Sequence, residues 1–372
     1  MKEPTGGGKE TTEMDPTIPQ PPGMPSFHPE TMQAWLYTST TGTLEKNLRF
    51  NPTARTPAPP KGNEVLVQVF TASLNHADYW FPELGLPARL LIGSPASPGM
   101  EFCGRVAGTG PLAQHLKEGT LVYGSYGRPT QFGSLAEYVV LGADKLAIVP
   151  DGVNIDSAAS VSACGLTAYQ SLEGNVKEGS NVFVNGGSGG CGIFAIQIAK
   201  AMGCRVTVTC STRNMELCLR IGADEVIDYT AEKDLVSKLV SRGDQFDCII
   251  DNVGSPSPLY YQSHLFLKEK GTFVQVGVQS NRTYLRAVWP AFLGGGQRRY
   301  VVLSRVDNPR QLVQLGEWLG DRTVQVQMDG VYEFHDVVKA FEKLRSGHAR
   351  GKIVVHVNDP HARDMEAFGI GI

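Results

Sequence analysis

The chain has 372 residues, 34 Lys+Arg against 37 Asp+Glu, a formal charge of -3, 42 glycines and seven cysteines. That length predicts two or three domains and a core that needs no disulfides or metals, and the slight acidic excess argues against nucleic acid as the main partner. No run of about 18 apolar residues suits a membrane span, and an odd number of scattered cysteines without a C-x-x-C pair reads as reduced thiols in a cytoplasmic setting.

Residues 1–30 carry Pro4, Pro16, Pro19, Pro21, Pro22, Pro25, Pro29 and the run Gly6-Gly7-Gly8, with almost nothing apolar. Such a segment cannot recover its ordering entropy by burial, so a disordered leader is expected. The first arginine is Arg49, which does not suit a transit peptide, and no apolar stretch suits a signal peptide. Over 31–156 the signals are short strands at Val65–Val69, Phe102–Ala107, Leu121–Tyr123 and Ala136–Val140. Gly and Pro separate them and helical periodicity is nearly absent, which predicts a β-rich, barrel-like domain.

The pattern changes over 157–305. Strand-like runs at Asn181–Asn185, Arg205–Thr209, Glu225–Ile227, Phe246–Ile250, Gly271–Val276 and Tyr300–Leu303 alternate with helical spacing at Ile193–Met202, Met215–Arg220 and Glu232–Arg242. This alternation predicts an α/β unit with a parallel, doubly wound sheet. Two more helical stretches and a last strand, Lys352–Val357, occupy 306–357, and 358–372 reads as a loose tail. No internal repeat is present.

Gly187-Ser188-Gly189-Gly190-Cys191-Gly192 is a G-x-G-x-x-G that follows a strand and opens an apolar helix. In that context each glycine has a mechanical task. The first permits the turn, the second lets backbone approach a pyrophosphate, and the third lets helix pack on strand. The helix start then offers N–H groups to the phosphates; the alternative is a glycine-rich turn without a ligand. A site for NAD usually places an acid about 20 residues further on. Here the second strand runs into Cys210-Ser211-Thr212-Arg213-Asn214 instead. Arg213 suits a 2′-phosphate through its planar fork and Ser211 can donate to it, which favours NADPH. The plainer reading of Arg213 is a solvated residue at a helix start.

Several segments, in order, resemble the medium-chain dehydrogenase/reductase superfamily, in its zinc-free quinone oxidoreductase and enoyl reductase branch. They are Leu74-Asn75-His76-Ala77-Asp78, Ser97-Pro98-Gly99-Met100-Glu101, Leu166-Thr167-Ala168-Tyr169, the glycine loop, Gly222-Ala223-Asp224-Glu225-Val226-Ile227-Asp228-Tyr229, and Gly347-His348-Ala349-Arg350-Gly351-Lys352. The resemblance implies a GroES-like β-barrel domain over 31–156, a Rossmann domain over 157–305 and a return to the barrel over 306–357. It implies NADPH in the cleft, with Thr167, Tyr229, Asn252, Gly277 and Lys352 added to Gly187–Gly192, Ser211 and Arg213 as cofactor contacts. A homodimer through the edge strand Tyr300–Leu303 is also implied.

Zinc alcohol dehydrogenases of the superfamily need a Cys where Asn75 stands and a His where Met100 stands. Asn and Met are not usual zinc ligands, and Cys164 alone cannot make a site, so no metal is expected. Without a strong Lewis acid, hydride transfer favours acceptors that carry their own activation: quinones, or alkenes conjugated to a carbonyl. Asn75 and Tyr79 are the expected donors to the growing negative charge, with Asp78 holding the loop or a hydroxyl network. Asn and Asp before a turn also cap backbone groups. His76 suits an acid or a structural role. Trp80, Phe81 and Trp289 suit a flat apolar pocket or plain core, and Arg298 and Arg299 a cofactor-side loop or a solvated face. A trans-acting enoyl reductase of a biosynthetic pathway is the neighbouring reading. A nucleotide-binding interaction protein without turnover is the reading from a different class.

Overall fold

The computed structural model describes residues 29–359 except 233, 244, 256–257, 278–289, 291–292 and 294. The leader up to residue 28, the tail from 360, Trp289 and Gly294 lie outside the described residues. Pro29, Glu30 and Asn358, read from sequence as leader and tail, are tied down: Thr56 donates to the carbonyls of Pro29 and Glu30, and the Asn358 amide donates to Val69 O at 2.8 Å.

Strand β1 (Thr31–Leu36) pairs antiparallel with β2 (Arg49–Arg55). A seven-stranded sheet follows, built on β3 (Glu64–Leu74), β4 (Glu101–Thr109), β5 (Leu121–Ser125), β6 (Tyr138–Gly142) and β7 (Leu146–Ile148). Its long strand β3 is buried along almost its whole length and pairs with β4 and β6. Consecutive apolar residues there suit a strand covered on both faces. The sequence run starting at Ala136 pairs later than expected, since Ala136 makes only a single bridge to Ala34 before the ladder begins at Tyr138. Short helical segments escape the periodicity: Leu44–Asn47, the helix α1 (His76–Trp80) and Leu86–Ile92. Each is too short to show an apolar stripe.

The second sheet is parallel throughout, with β8 (Asn181–Asn185), β9 (Arg205–Cys210), β10 (Glu225–Asp228), β11 (Phe246–Asp251), β12 (Leu267–Gln275) and β13 (Arg299–Val302) in the order β10-β9-β8-β11-β12-β13. The order reverses beside β8, which is the doubly wound arrangement with its crevice at the carboxyl ends of the strands. Helices α2 (Ser162–Leu172) and α3 (Gly190–Ala201) pack together beside it, and α4 (Met215–Arg220) follows β9. The helix expected from Glu232 begins at α5 (Leu235–Arg242), because the Asp234 carboxylate accepts from Ser237 N and caps it there.

Helix α6 (Pro309–Gly320) lays Leu312, Leu315 and Leu319 on the second core, and the Tyr123 hydroxyl of the barrel donates to Leu312 O at 2.6 Å. Helix α7 (Val337–Arg345) buries Val337, Ala340 and Phe341 in the barrel core. Burying one such aromatic side chain contributes roughly 1.5–3 kcal/mol. Strand β14 (Met328–Glu333) lies before α7 and pairs with the closing strand β15 (Lys352–His356), which inserts antiparallel against β3, Ile353 opposite Leu74. That register sets Lys352 beside Asn75.

Candidate active site

Strand β8 delivers the chain to the glycine loop, and the tight turn falls one residue earlier than the motif suggests. Gly186 has φ +84, a left-handed conformation that favours glycine. Gly187 is required by packing, since a Cβ there would lie 2.9 Å from Val208 Cβ. A Cβ on Gly192 would run into the carbonyl oxygens of Gly186 and Gly187, whereas at Gly189 the nearest atom is Gly186 O at 3.7 Å, so that face is open. Beneath the loop a buried polar belt crosses four strands. Thr209 donates to Asn185 Oδ1 at 2.7 Å and accepts from Gly186 N at 2.9 Å. Asp251 accepts from Asn185, Gln275, Val253 N and Gly254 N at 2.9–3.0 Å. These bonds fix the loop from below and leave its upper face for a ligand.

At one end of the loop, Ser211 precedes a short turn, its carbonyl accepting from Asn214 N at 2.8 Å, and the Asn214 side chain donates to the hydroxyls of both Ser188 and Ser211, at 3.0 and 3.2 Å. Arg213 is exposed and reaches His348 O at 3.4 Å; Tyr229 is 52% exposed. A carboxylate that sequence reasoning missed enters from β10: Asp228 accepts from Thr212 and Thr230 hydroxyls at 2.6 Å each, and these bonds lower its pKa to about 2. At the other end, Asn252 follows β11, and both its amide nitrogen and its oxygen are buried without a partner. A Cβ on Gly277 would strike Asn252 O. Thr167 donates back to Ala163 O at 2.8 Å. Orphaned amide atoms beside an open glycine face fit a dinucleotide laid across the loop: the chain leaves unsatisfied, at the mouth of the crevice, groups that a ligand would satisfy.

The barrel side of the crevice holds a buried charged cluster. Lys352, 1% exposed, places its ammonium 2.6 Å from Asn75 Oδ1, 3.1 Å from Glu101 Oε2, 3.3 Å from Leu74 O and 3.5 Å from Cys164 Sγ. Glu101, fully buried, also accepts from Asn75 Nδ2 at 2.8 Å, Ala163 N at 2.8 Å and Ser162 Oγ at 3.3 Å. Cys164 donates to Asn75 Oδ1 at 3.1 Å. Burial works against the Lys352 ammonium, but Cys164 and Glu101 more than offset it and hold its pKa above the ordinary value. Lys352, expected as a cofactor contact, turns its charge into this cluster and only its stem borders the loop, 3.5 Å from a Cβ placed on Gly190.

The cluster does not suit zinc. Among the described residues no three His, Cys, Asp or Glu side chains are grouped to hold a metal ion, and an ammonium fills the point where Asn75, Glu101 and Cys164 converge. A cation bound there would have to displace a cation already neutralising Glu101.

Asp78 is 2% exposed, accepts from Asn75 N at 2.7 Å through Oδ2, and leaves Oδ1 without a partner. Burial pushes its pKa up to about 7 against the pull of the Asn75 N–H and Lys352. A folded-state value above the unfolded one stabilises the fold below about pH 4 and loses that contribution as pH rises through about 7. At about 1.4 kcal/mol per unit the loss is on the order of 4 kcal/mol. Asp78→Asn is therefore expected to flatten the fall in urea-measured stability between pH 4 and pH 8; an unchanged slope would remove Asp78 as its source.

Tyr79 lies apart from this cluster. Its ring packs against His76 (centroids 4.6 Å) and under the Arg345 guanidinium (4.1 Å), which also binds Glu45 and Glu83. The structure thus joins Asn75 and Asp78 with Lys352 and places Tyr79 in a separate clamp between α1 and α7. Trp80 and Phe81 pack on each other, centroids 4.8 Å apart. Arg298 donates to the carbonyls of Leu267 and His264 at 2.9 and 3.0 Å, bracing β12, and Arg299 opens β13.

Residues 61–151 match the family model of the alcohol dehydrogenase GroES-like domain, and residues 221–355 match that of zinc-binding dehydrogenases. The trans-enoyl reductase pgmF of Aspergillus terreus is 41% identical over 356 residues, covering 90% of this chain and 99% of the relative. A zinc-type alcohol dehydrogenase-like protein of Schizosaccharomyces pombe is 33% identical, with 87% and 96% covered. Among solved structures, the quinone oxidoreductase of Coxiella burnetii superposes with a TM-score of 0.77 at 30% identity, covering 88% of this chain and 99% of that one.

Proposed function

Because the chain belongs to the medium-chain dehydrogenase/reductase superfamily, we propose that this oxidoreductase uses NADPH, without zinc, to reduce alkenes conjugated to a carbonyl. The observation that carries this reading is the Lys352–Glu101 pair at the converging point of the barrel residues. A paired ammonium and carboxylate are neutral together and supply little of the electrophilic pull of a divalent cation. A simple ketone would be left unactivated there, whereas a conjugated acceptor spreads the incoming charge onto its own oxygen. When bound, the reduced nicotinamide supplies the hydride. This chain's part is to cradle the diphosphate on Gly187–Gly192, to offer the donor and acceptor of Asn252 at the crevice mouth, and to hold the Asn75 turn in place through Lys352.

The 41% relative, a trans-enoyl reductase, supports enoyl thioesters presented by a separate carrier as the physiological form of that alkene. The Coxiella quinone oxidoreductase keeps quinones as the second substrate class. We read β13, paired within this chain to β12, as the edge where a second copy adds. The seven unpaired cysteines suit a reducing, cytoplasmic compartment.

The test is NADPH oxidation by the purified protein against enones, enoyl thioesters and quinones, with metal content measured on the same sample. Turnover of conjugated acceptors at no stoichiometric zinc supports the proposal; NADPH binding with no turnover of any of the three leaves an interaction protein instead. Cofactor choice is tested separately. A charge-assisted pair contributes about 1.5–3 kcal/mol, so Arg213→Ala should weaken NADPH roughly 10- to 100-fold and NADH far less. Equal losses would show that Arg213 does not read the 2′-phosphate.

A further inference from the structure

A site that selects NAD holds the ribose 2′-hydroxyl on an acid near the end of the second strand, and one that selects NADPH puts an arginine nearby. Here both kinds of group are present. Arg213 stands in the turn after β9, and Asp228 ends the neighbouring strand β10, opposite Cys210 in the ladder. The carboxylate is already engaged. Its Oδ1 accepts from Thr230 N at 2.9 Å and from the Thr230 hydroxyl at 2.6 Å, which hold it in place. Its Oδ2 accepts from the Thr212 hydroxyl at 2.6 Å. Thr212 is exposed and lies between Ser211 and Arg213, the two residues read as contacts of the 2′ position. Arg213 extends to His348 O at 3.4 Å rather than to the acid. The hydroxyl bonds lower the pKa of Asp228 to about 2, so it carries its charge throughout the neutral range.

We propose that Thr212 is a specificity-determining residue of the cofactor site: its hydroxyl occupies the Asp228 oxygen that Thr230 does not hold, and so withholds the acid from the ribose 2′-hydroxyl of NADH. The inference deepens, and rests on, the dinucleotide reading of the glycine loop and of the Arg213 turn. A carboxylate can serve a ligand only where a lone pair is unclaimed. Oδ1 already takes two bonds from Thr230, about as many as one carboxylate oxygen accepts. At Oδ2 a ribose hydroxyl must displace a donor already seated at 2.6 Å, which exchanges one hydrogen bond for another with little net gain. The 2′-phosphate of NADPH makes no demand on that oxygen. It is met by Arg213 and Ser211 and feels the acid only as a charge, screened by water at an exposed turn. Discrimination then comes from a hydroxyl that competes with the unwanted cofactor as well as from a cation that attracts the wanted one.

Affinities for NADPH and NADH are measured by fluorescence titration of the full chain and its variants. Thr212→Val keeps the shape of the side chain and removes the donor. NADH should then bind about 5- to 30-fold more tightly, and NADPH, facing an uncovered carboxylate, about 2- to 10-fold more weakly. Thr212→Ala removes the same donor without bulk and should behave alike, whereas Thr212→Ser should retain the native ratio. Thr230→Val should shift the ratio little, because Thr212 still covers Oδ2 and Thr230 N still holds Oδ1. The gain in NADH affinity should vanish when Thr212→Val is combined with Asp228→Asn. An unchanged ratio in both Thr212→Val and Thr212→Ala, or a rise that survives Asp228→Asn, overturns the proposal. A native chain that binds neither nucleotide would instead overturn the dinucleotide reading, which the first titration reports separately.

Discussion

Replacing Lys352 with Met is expected to destabilise the fold by about 3–5 kcal/mol, as loss of one partner from a buried pair does. The stem that borders the glycine loop is kept, so little packing is lost. What remains is the Glu101 carboxylate, fully buried, with the bonds from Asn75, Ala163 and Ser162 but without a countercharge. Adding Glu101→Gln should restore more than half of the loss. The Asn75 amide can turn over, present its oxygen to the new Gln nitrogen, and leave no charge unpaired. Urea denaturation of the two single variants and the double variant closes the cycle. Additive losses would mean that Lys352 and Glu101 do not stabilise each other. A lysine whose folded pKa is raised contributes fully below its unfolded value, and the contribution fades as pH rises through the folded one. The native cluster should therefore persist undiminished by this pair throughout the neutral range.

Gly189→Ala and Gly192→Ala, three residues apart, are expected to fail in different ways. At Gly192 the added methyl meets the carbonyl oxygens of Gly186 and Gly187, so α3 must move off the turn. Overpacking of this kind costs about 1–3 kcal/mol, and thermal stability and NADPH affinity should fall together. At Gly189, with φ -83 and open space, the backbone accepts a methyl at a cost of about 1 kcal/mol or less. The methyl then stands where backbone would approach the diphosphate, and affinity should fall roughly 10- to 100-fold while the melting temperature hardly moves. If Gly189→Ala binds NADPH as tightly as the native chain, the diphosphate does not lie on this loop.

What could be read in the sequence was what depends on near neighbours. The strands β8, β9 and β11 and the helices α3 and α4 show their period within a dozen residues, and the glycine loop sits between two of them. The burial of Lys352 could not be read. In the run Arg350-Gly351-Lys352 it has the look of a surface cation, and only the pairing of β15 with β3 brings it to Asn75, 277 positions away. Asp228 escaped for a related reason: the acid near the Thr212 turn comes from the neighbouring strand, not from the tip of β9. Glu101 stood in the Pro98-Gly99-Met100-Glu101 run, where a carboxylate next to a turn reads as solvated. The signal that could have found it is its place at the head of the run Phe102–Ala107, which is apolar apart from Arg105.

The insertion of β15 has a consequence for synthesis. Glu101 leaves the ribosome 251 residues before Lys352 does, an interval on the order of 10–50 s at about 5–20 residues per second. Until then the nascent barrel carries an acid with no cation to meet it, and β3 has an unclaimed edge. A message truncated between about codon 321 and codon 352 would yield a polypeptide that carries the whole parallel sheet and α6 but whose crevice cannot be finished, a ready target for quality control.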